Sequence, residues 1–293
     1  MSRILLTGAN GQVGWELQRT CPAGIELIAL TREQLDLTDA DAIRRTVRRH
    51  CPDIILNPAA YTAVDRAESE PELAQAVNAQ APAVLAEEAG QRGALLVHYS
   101  TDYVFDGRQD RPYREDDPPH PQSVYGRSKL AGEEAVRGSG CRHLILRTSW
   151  VYGVHGGNFV KTVLRLAHER EQLRIVADQF GAPTWARLLA RTTWQLLPRF
   201  RDELAGVYHL TASGRTSWYE YAQTIVAEAR RYDARLRDKS LLIQPIATHE
   251  YPLPATRPAN SCLATDKLRT SFGVTLPDWQ EDLHLCLAEL LQR

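Results

Sequence analysis

Tyr125 and Lys129 stand four residues apart in the stretch Val124-Tyr125-Gly126-Arg127-Ser128-Lys129. On a helix that spacing puts both side chains on one face, the ammonium beside the phenol. A free phenol titrates at about 10, and a proton donor or acceptor works best closer to ambient pH. Closing the gap needs roughly 3 pKa units, or about 4 kcal/mol of preference for phenolate. A neighbouring lysine and a bound cationic nicotinamide ring are two charges able to supply it. Tyr-x-x-x-Lys is common on amphipathic surfaces, so the pair gains meaning only from its context. That context is a glycine-rich turn about one hundred residues upstream, Thr7-Gly8-Ala9-Asn10-Gly11-Gln12-Val13-Gly14.

Proton transfer beside a nicotinamide requires a scaffold that binds a dinucleotide, and the first half of the chain has the pattern of one. Short apolar runs at Arg3-Thr7, Glu26-Leu30, Ile54-Asn57, Leu95-Ser100 and His143-Thr148 predict buried parallel strands. Helical spacing lies between them at Trp15-Arg19, Asp39-Arg49, Pro71-Gln91 and Ser128-Arg137. This alternation predicts an α/β fold with a doubly wound parallel sheet of Rossmann type, ligands binding at the carboxyl ends of the strands. Gly8, Gly11 and Gly14 follow the first strand and open the first helix, where glycines let the backbone approach a pyrophosphate and the helix amino end favours its charge. In the second half Asn158-Arg170, Arg187-Leu197, Ser217-Arg231 and Asp278-Leu291 look helical and Gly206-Leu210 looks like a strand. The expected organisation is a dinucleotide-binding domain over residues 1–150, with segments returning around 178–212. A smaller, mostly helical substrate-binding lobe occupies most of 151–293.

Composition removes several other functions. The formal net charge of −1 gives no long-range attraction to nucleic acid or an anionic membrane. Five isolated cysteines without a Cys-x-x-Cys pair make no disulfide framework, and His98, His120 and His143 have no metal-ligand spacing. No apolar run approaches the length of a membrane span, so a cytoplasmic enzyme is expected.

The glycine spacing i, i+3, i+6 followed by Tyr-x-x-x-Lys resembles the extended short-chain dehydrogenase/reductase superfamily. Longer stretches are similar to the dTDP-4-dehydrorhamnose reductase family: His98 to Gly107, Tyr125 to Glu133, Arg147 to Gly153, Asp178 to Thr184 and Arg257 to Ser261. The resemblance implies NADPH-dependent reduction of the C4 keto group of dTDP-4-dehydro-6-deoxy-L-mannose, the last step of dTDP-L-rhamnose synthesis, with NADH as an alternative reductant. It implies Tyr125 as proton donor, Lys129 as the group that lowers the Tyr125 pKa and holds the nicotinamide ribose, and Thr101 as the hydroxyl orienting the carbonyl. Cofactor contacts are expected from Gly8, Gly11, Gln12, Val13, Gly14, Ala60, Tyr61, Thr62, Asp36 and Leu37, the last two beside adenine. Asp36 also reads as a helix cap. Arg32, at the end of the second strand where an NAD-specific protein would place a carboxylate, suits a 2′-phosphate.

Asp102, Tyr103 and Trp150 are expected against the substrate, with Asn158, Gln179 and Asn260 as further contacts from the lobe. Sugar-nucleotide dehydratases carry Asp-Glu after the threonine; Tyr103 replaces the second carboxylate here, which argues for reduction without elimination. Some family members bind magnesium through acids that also serve dimerisation. Glu16 matches one such position but Arg187 stands at another, so no metal site is expected, and a homodimer is left to other contacts. Two other functions remain open: a dinucleotide-binding regulatory subunit, and a nucleotide-sugar epimerase or dehydratase.

Overall fold

The computed structural model describes residues 2–292. The apolar runs become β1 (Arg3–Leu6), β2 (Glu26–Ala29), β3 (Ile54–Asn57), β4 (Leu95–Thr101) and β5 (Arg142–Thr148). Short β6 (Val151–Tyr152), β7 (Gln172–Val176), β8 (Phe180–Gly181) and β9 (Thr184–Trp185) follow, then β10 (Gly206–His209), β11 (Thr216–Ser217) and β12 (Leu242–Ile246). Six strands form one sheet in the order β10-β5-β4-β3-β1-β2, and every neighbouring pair is parallel. The order reverses between β1 and β3, which opens a crevice at their carboxyl ends.

Alternate residues of each strand feed two cores. Ile4, Leu6, Leu56, Val97 and Leu146 face one side, while Leu5, Ile55, Leu96 and Ile145 face the other. Helices α1 (Gln12–Arg19) and α8 (Ala186–Leu196) pack together, and α2 (Ala40–His50), α5 (Ala81–Arg92) and α6 (Val124–Gly138) form a second set. Burying one Leu or Ile stabilises by roughly 1.5–3 kcal/mol, so two aliphatic layers dominate the fold's stability.

The expected helix over Pro71-Gln91 is divided. A short α3 (Val64–Ala67) precedes α4 (Pro71–Gln75), and a π turn at Ala76–Gln80 leads into α5. Pro82 has no N–H to offer the carbonyl of Asn78. Gly132 of α6 packs against that carbonyl so closely that an added Cβ would lie 2.1 Å from it. Helix α6 also starts earlier than its spacing suggested, because the Ser123 hydroxyl accepts from Gly126 N at 3.1 Å and caps it.

Beyond the sheet lie α7 (Phe159–Glu169), α9 (Trp218–Ala229), α10 (Ala234–Arg237), α11 (Asp266–Phe272) and α12 (Trp279–Leu291). Three small sheets join them: β6 with β9, β7 with β12, and β8 with β11. The five-residue parallel pair of β7 and β12 had no counterpart in the sequence pattern. Among the described residues no helix is long and apolar enough to cross a membrane.

Candidate active site

One cleft of about 530 Å³ opens above the carboxyl ends of β1, β3, β4 and β5. Gly8, Gly11, Gln12, Val13 and Gly14 form its floor at the start of α1. Gly8 takes a left-handed backbone, φ +59°, with Ala59 close against it. A Cβ on Gly14 would lie 2.1 Å from the Gly8 carbonyl oxygen, so any side chain there breaks the turn. Arg32, Asp36 and Leu37 line one end of the cleft. Asp36 does not cap α2; Asp39 does, accepting from Ala42 N at 2.8 Å. The Asp36 carboxylate accepts instead from the Thr38 amide and hydroxyl, both at 2.9 Å, which holds its pKa below the usual value. Arg32 is exposed at the rim, with no carboxylate in ion-pair range among the described residues.

Ala60, Tyr61 and Thr62 line the opposite wall. Asn78, within the π turn, holds this segment from behind: it accepts from Tyr61 N at 2.8 Å, and its amide group donates to the Tyr61 carbonyl at 3.0 Å and the Ser128 hydroxyl at 3.0 Å. Nothing in the local sequence marked Asn78, because its partners lie 17 and 50 residues away.

Thr101, Asp102, Tyr103, Tyr125, Lys129 and Trp150 meet at the centre. Thr101 ends β4, and its hydroxyl hydrogen-bonds Asp102 at 3.1 Å and the Tyr125 phenol. Burial raises the Asp102 carboxyl to about 6, and its Oδ2 is buried without a hydrogen-bond partner. Tyr103 meets Tyr125 edge to face, ring centres 5.5 Å apart. Trp150 has a left-handed backbone, φ 47°, and stacks on Trp218 with centroids 3.5 Å apart. Gly181 is its floor, leaving no space for a Cβ.

The structure corrects one expectation: the Tyr125 phenol is raised rather than lowered, and the side chain that hydrogen-bonds it is Thr101, not Lys129. The Lys129 ammonium donates to the Tyr99 carbonyl at 2.7 Å and lies 3.3 Å from His98 Nε2. Burial pushes Tyr125 up to about 12 and Lys129 down to about 8, the Thr101 hydrogen bond and the Glu133 charge opposing each shift. Both side chains are buried beneath the cleft, so desolvation outweighs the local partners.

Three lobe residues expected at the substrate are engaged elsewhere. Asn158 caps α7 and donates to the Gly153 carbonyl at 2.7 Å and to Oε1 of Gln12 on the cleft floor at 3.0 Å, Gln179 donates to Thr248, and Asn260 donates to the carbonyls of Gln109 and Arg111. None of the three lines the cleft.

The residues at the magnesium position do not fit a cation. Arg187 Nε lies 3.0 Å from Glu16 Oε2, and its Nη2 lies 2.5 Å from Glu289 Oε2. A guanidinium thus occupies the space between the two acids and ties α1, α8 and α12 together. No group of three His, Cys, Asp or Glu able to hold a metal occurs among the described residues.

The chain matches the family described as RmlD substrate binding domain over residues 1–292. It is 48% identical to a dTDP-4-dehydrorhamnose reductase of Burkholderia thailandensis, covering 99% of this chain and 100% of that one. It is also 48% identical to the Escherichia coli K12 protein of that name, over 98% and 97% of the two chains. A solved dTDP-4-dehydrorhamnose reductase from Bacillus anthracis, in complex with NADP, superposes with a TM-score of 0.91 at 37% identity, covering 98% of this chain and 99% of that one. The chain therefore belongs to the dTDP-4-dehydrorhamnose reductase family.

Proposed function

We propose that this chain reduces the C4 keto group of dTDP-4-dehydro-6-deoxy-L-mannose with NADPH, forming dTDP-L-rhamnose. The observation that carries this reading is the convergence of Thr101, Tyr125 and Lys129 on one cleft with the Gly8–Gly14 turn. When bound, NADPH supplies the hydride to the carbonyl carbon. Backbone amides at the start of α1 hold the pyrophosphate, since the turn leaves no side chain in its way. Thr101 orients the carbonyl, and Tyr125 gives its phenolic proton to the oxygen as negative charge develops there. A phenol near 12 is protonated at neutral pH, the form a reductase needs. An ammonium has three N–H groups. With two directed at Tyr99 and His98, Lys129 keeps one for a ribose hydroxyl. The unpartnered Asp102 oxygen offers an acceptor for a sugar hydroxyl, and Trp150 a flat wall for the sugar.

The direct test mixes the protein with the dTDP-4-keto sugar and NADPH and follows absorbance of the reduced cofactor. Steady oxidation with formation of dTDP-L-rhamnose supports the reading. Binding of NADPH without turnover would make the chain a regulatory subunit instead, and loss of water from a dTDP-hexose would make it a dehydratase.

Two further results are expected of the active enzyme. Wild type has a higher kcat/KM for NADPH than for NADH, and Arg32→Ala reduces that ratio about ten- to a hundredfold, the value of one hydrogen bond to a charged group. An unchanged ratio makes Arg32 a loop residue only. Turnover also survives exhaustive EDTA, because Arg187 already neutralises Glu16 and Glu289. Loss of activity that magnesium alone restores would overturn that assignment.

A further inference from the structure

Behind Lys129 lies a file of fully buried polar side chains that the reduction itself does not use. His98 Nε2 is 3.3 Å from Lys129 Nζ, His98 Nδ1 is 3.0 Å from the Asn57 amide nitrogen, and Asn57 Oδ1 is 2.6 Å from the Thr7 hydroxyl. Thr7 directly follows β1, Asn57 ends β3 and His98 lies midway along β4 opposite Asn57, on three adjacent strands under the cleft.

A neutral imidazole has one N–H and one lone pair, so it cannot accept from both neighbours. If Lys129 is an ammonium, Nε2 must accept and Nδ1 carries the proton. Asn57 then presents its oxygen to Nδ1 and its NH2 to the Thr7 hydroxyl, a half-turn of the amide that leaves the heavy atoms in place. If Asn57 instead donates to Nδ1, Nε2 carries the proton and points at a neutral amine. The direction of the file therefore follows the charge on Lys129. His98 itself stays neutral, since burial and the Lys129 charge hold its pKa well below the usual value.

We infer that His98 is a positioning residue: held as the Nδ1–H tautomer by Asn57, it accepts from the Lys129 ammonium and, with the Tyr99 carbonyl, aims the remaining N–H into the cleft. The inference rests on the reductase reading above. Few other groups compete for Lys129. On its own helix Glu133 is already paired with Arg147 of β5 and bonded to Ser100, while Tyr125 hydrogen-bonds Thr101. Asp102, beyond the end of β4, bonds the Thr101 and Ser261 side chains, and the Tyr99 hydroxyl bonds Thr193 of α8.

The experiment is the pH profile of kcat at saturating NADPH for wild type, His98→Phe and His98→Gln, with melting temperature and NADPH affinity recorded for each. Losing a charge-assisted acceptor weakens the ammonium by about one pKa unit. His98→Phe should thus move the alkaline limb about one unit toward acid, costing about tenfold above that limb and under about threefold at pH 6. His98→Gln, whose carboxamide oxygen replaces Nε2 as acceptor, should keep the wild-type limb. A purely structural defect lowers kcat equally at every pH. Parallel profiles, or a glutamine variant as impaired as phenylalanine, would overturn the inference. Should His98→Phe not fold, Asn57→Asp decides with the opposite sign. A carboxylate on Nδ1–H makes His98 a better acceptor and moves the limb toward alkali; an unmoved or acid-shifted limb sinks the proposal. Wild type is assayed alongside. Absence of turnover there would defeat the functional reading, whereas an active wild type with parallel variants defeats only the role of His98.

Discussion

Tyr125→Phe binds NADPH with wild-type affinity and loses about 10²- to 10⁴-fold in kcat, the range contributed by a positioned general acid. The ring remains and only the hydroxyl goes, so the edge-to-face contact with Tyr103 survives. The size of the loss follows from the site's dryness. Tyr125 is buried and bonded to Thr101, so its removal leaves a gap that water fills poorly. With the phenol near 12, the acid form persists across the working range. The variant's residual activity should therefore be a uniform fraction of wild type up to the Lys129 limb. Cofactor titration and single-turnover rates make the measurement, and a kcat within threefold of wild type would remove Tyr125 from the chemistry.

Glu133→Ala is the largest expected loss of stability, about 3–5 kcal/mol, because it strands a buried guanidinium. Arg147 bonds Glu133 through Nε at 2.9 Å and Nη2 at 2.6 Å, and Ser100 donates to the same carboxylate at 2.5 Å. Arg147 and Glu133 side chains are 3% and 0% exposed, and Arg147 Nη1 already lacks a partner. Urea unfolding would register the change in midpoint at constant slope. The double variant Glu133→Leu/Arg147→Met should recover most of the loss, since removing both charges leaves no uncompensated ion. A single-variant loss below about 1 kcal/mol would mean that water reaches the pair.

The parallel sheet was legible because buried strands announce themselves as apolar runs, and the glycine turn because backbone crowding at Gly14 admits no other residue. The cleft was legible for the same reason: its contacts come from strand ends, whose order along the chain fixes their neighbourhood. Lys129 shows where that reasoning stops. Helical spacing correctly gave it a shared face with Tyr125, but its direction was set by a carbonyl and an imidazole on β4, some 30 residues earlier. Asn158, Gln179 and Asn260 lie off the cleft lining for a related reason. An amide near a site bonds backbone as readily as ligand, and the competing carbonyls, such as Gln109 for Asn260, are invisible to spacing.

The π turn at Ala76–Gln80 acts as a rotational phase shifter. Each α-helical residue advances the side-chain direction by about 100°. One residue more per turn rotates everything downstream by about that angle relative to an uninterrupted helix. Leu73, before the turn, lines the cleft and Val77 within it touches both cleft and core, whereas Leu85 and Ala89 beyond it belong to the core alone. A single rod of chain thereby serves as cavity wall at one end and as core at the other. Deleting one residue between Ala76 and Gln80 would restore helical regularity and bring the two halves out of phase with the surfaces they now match.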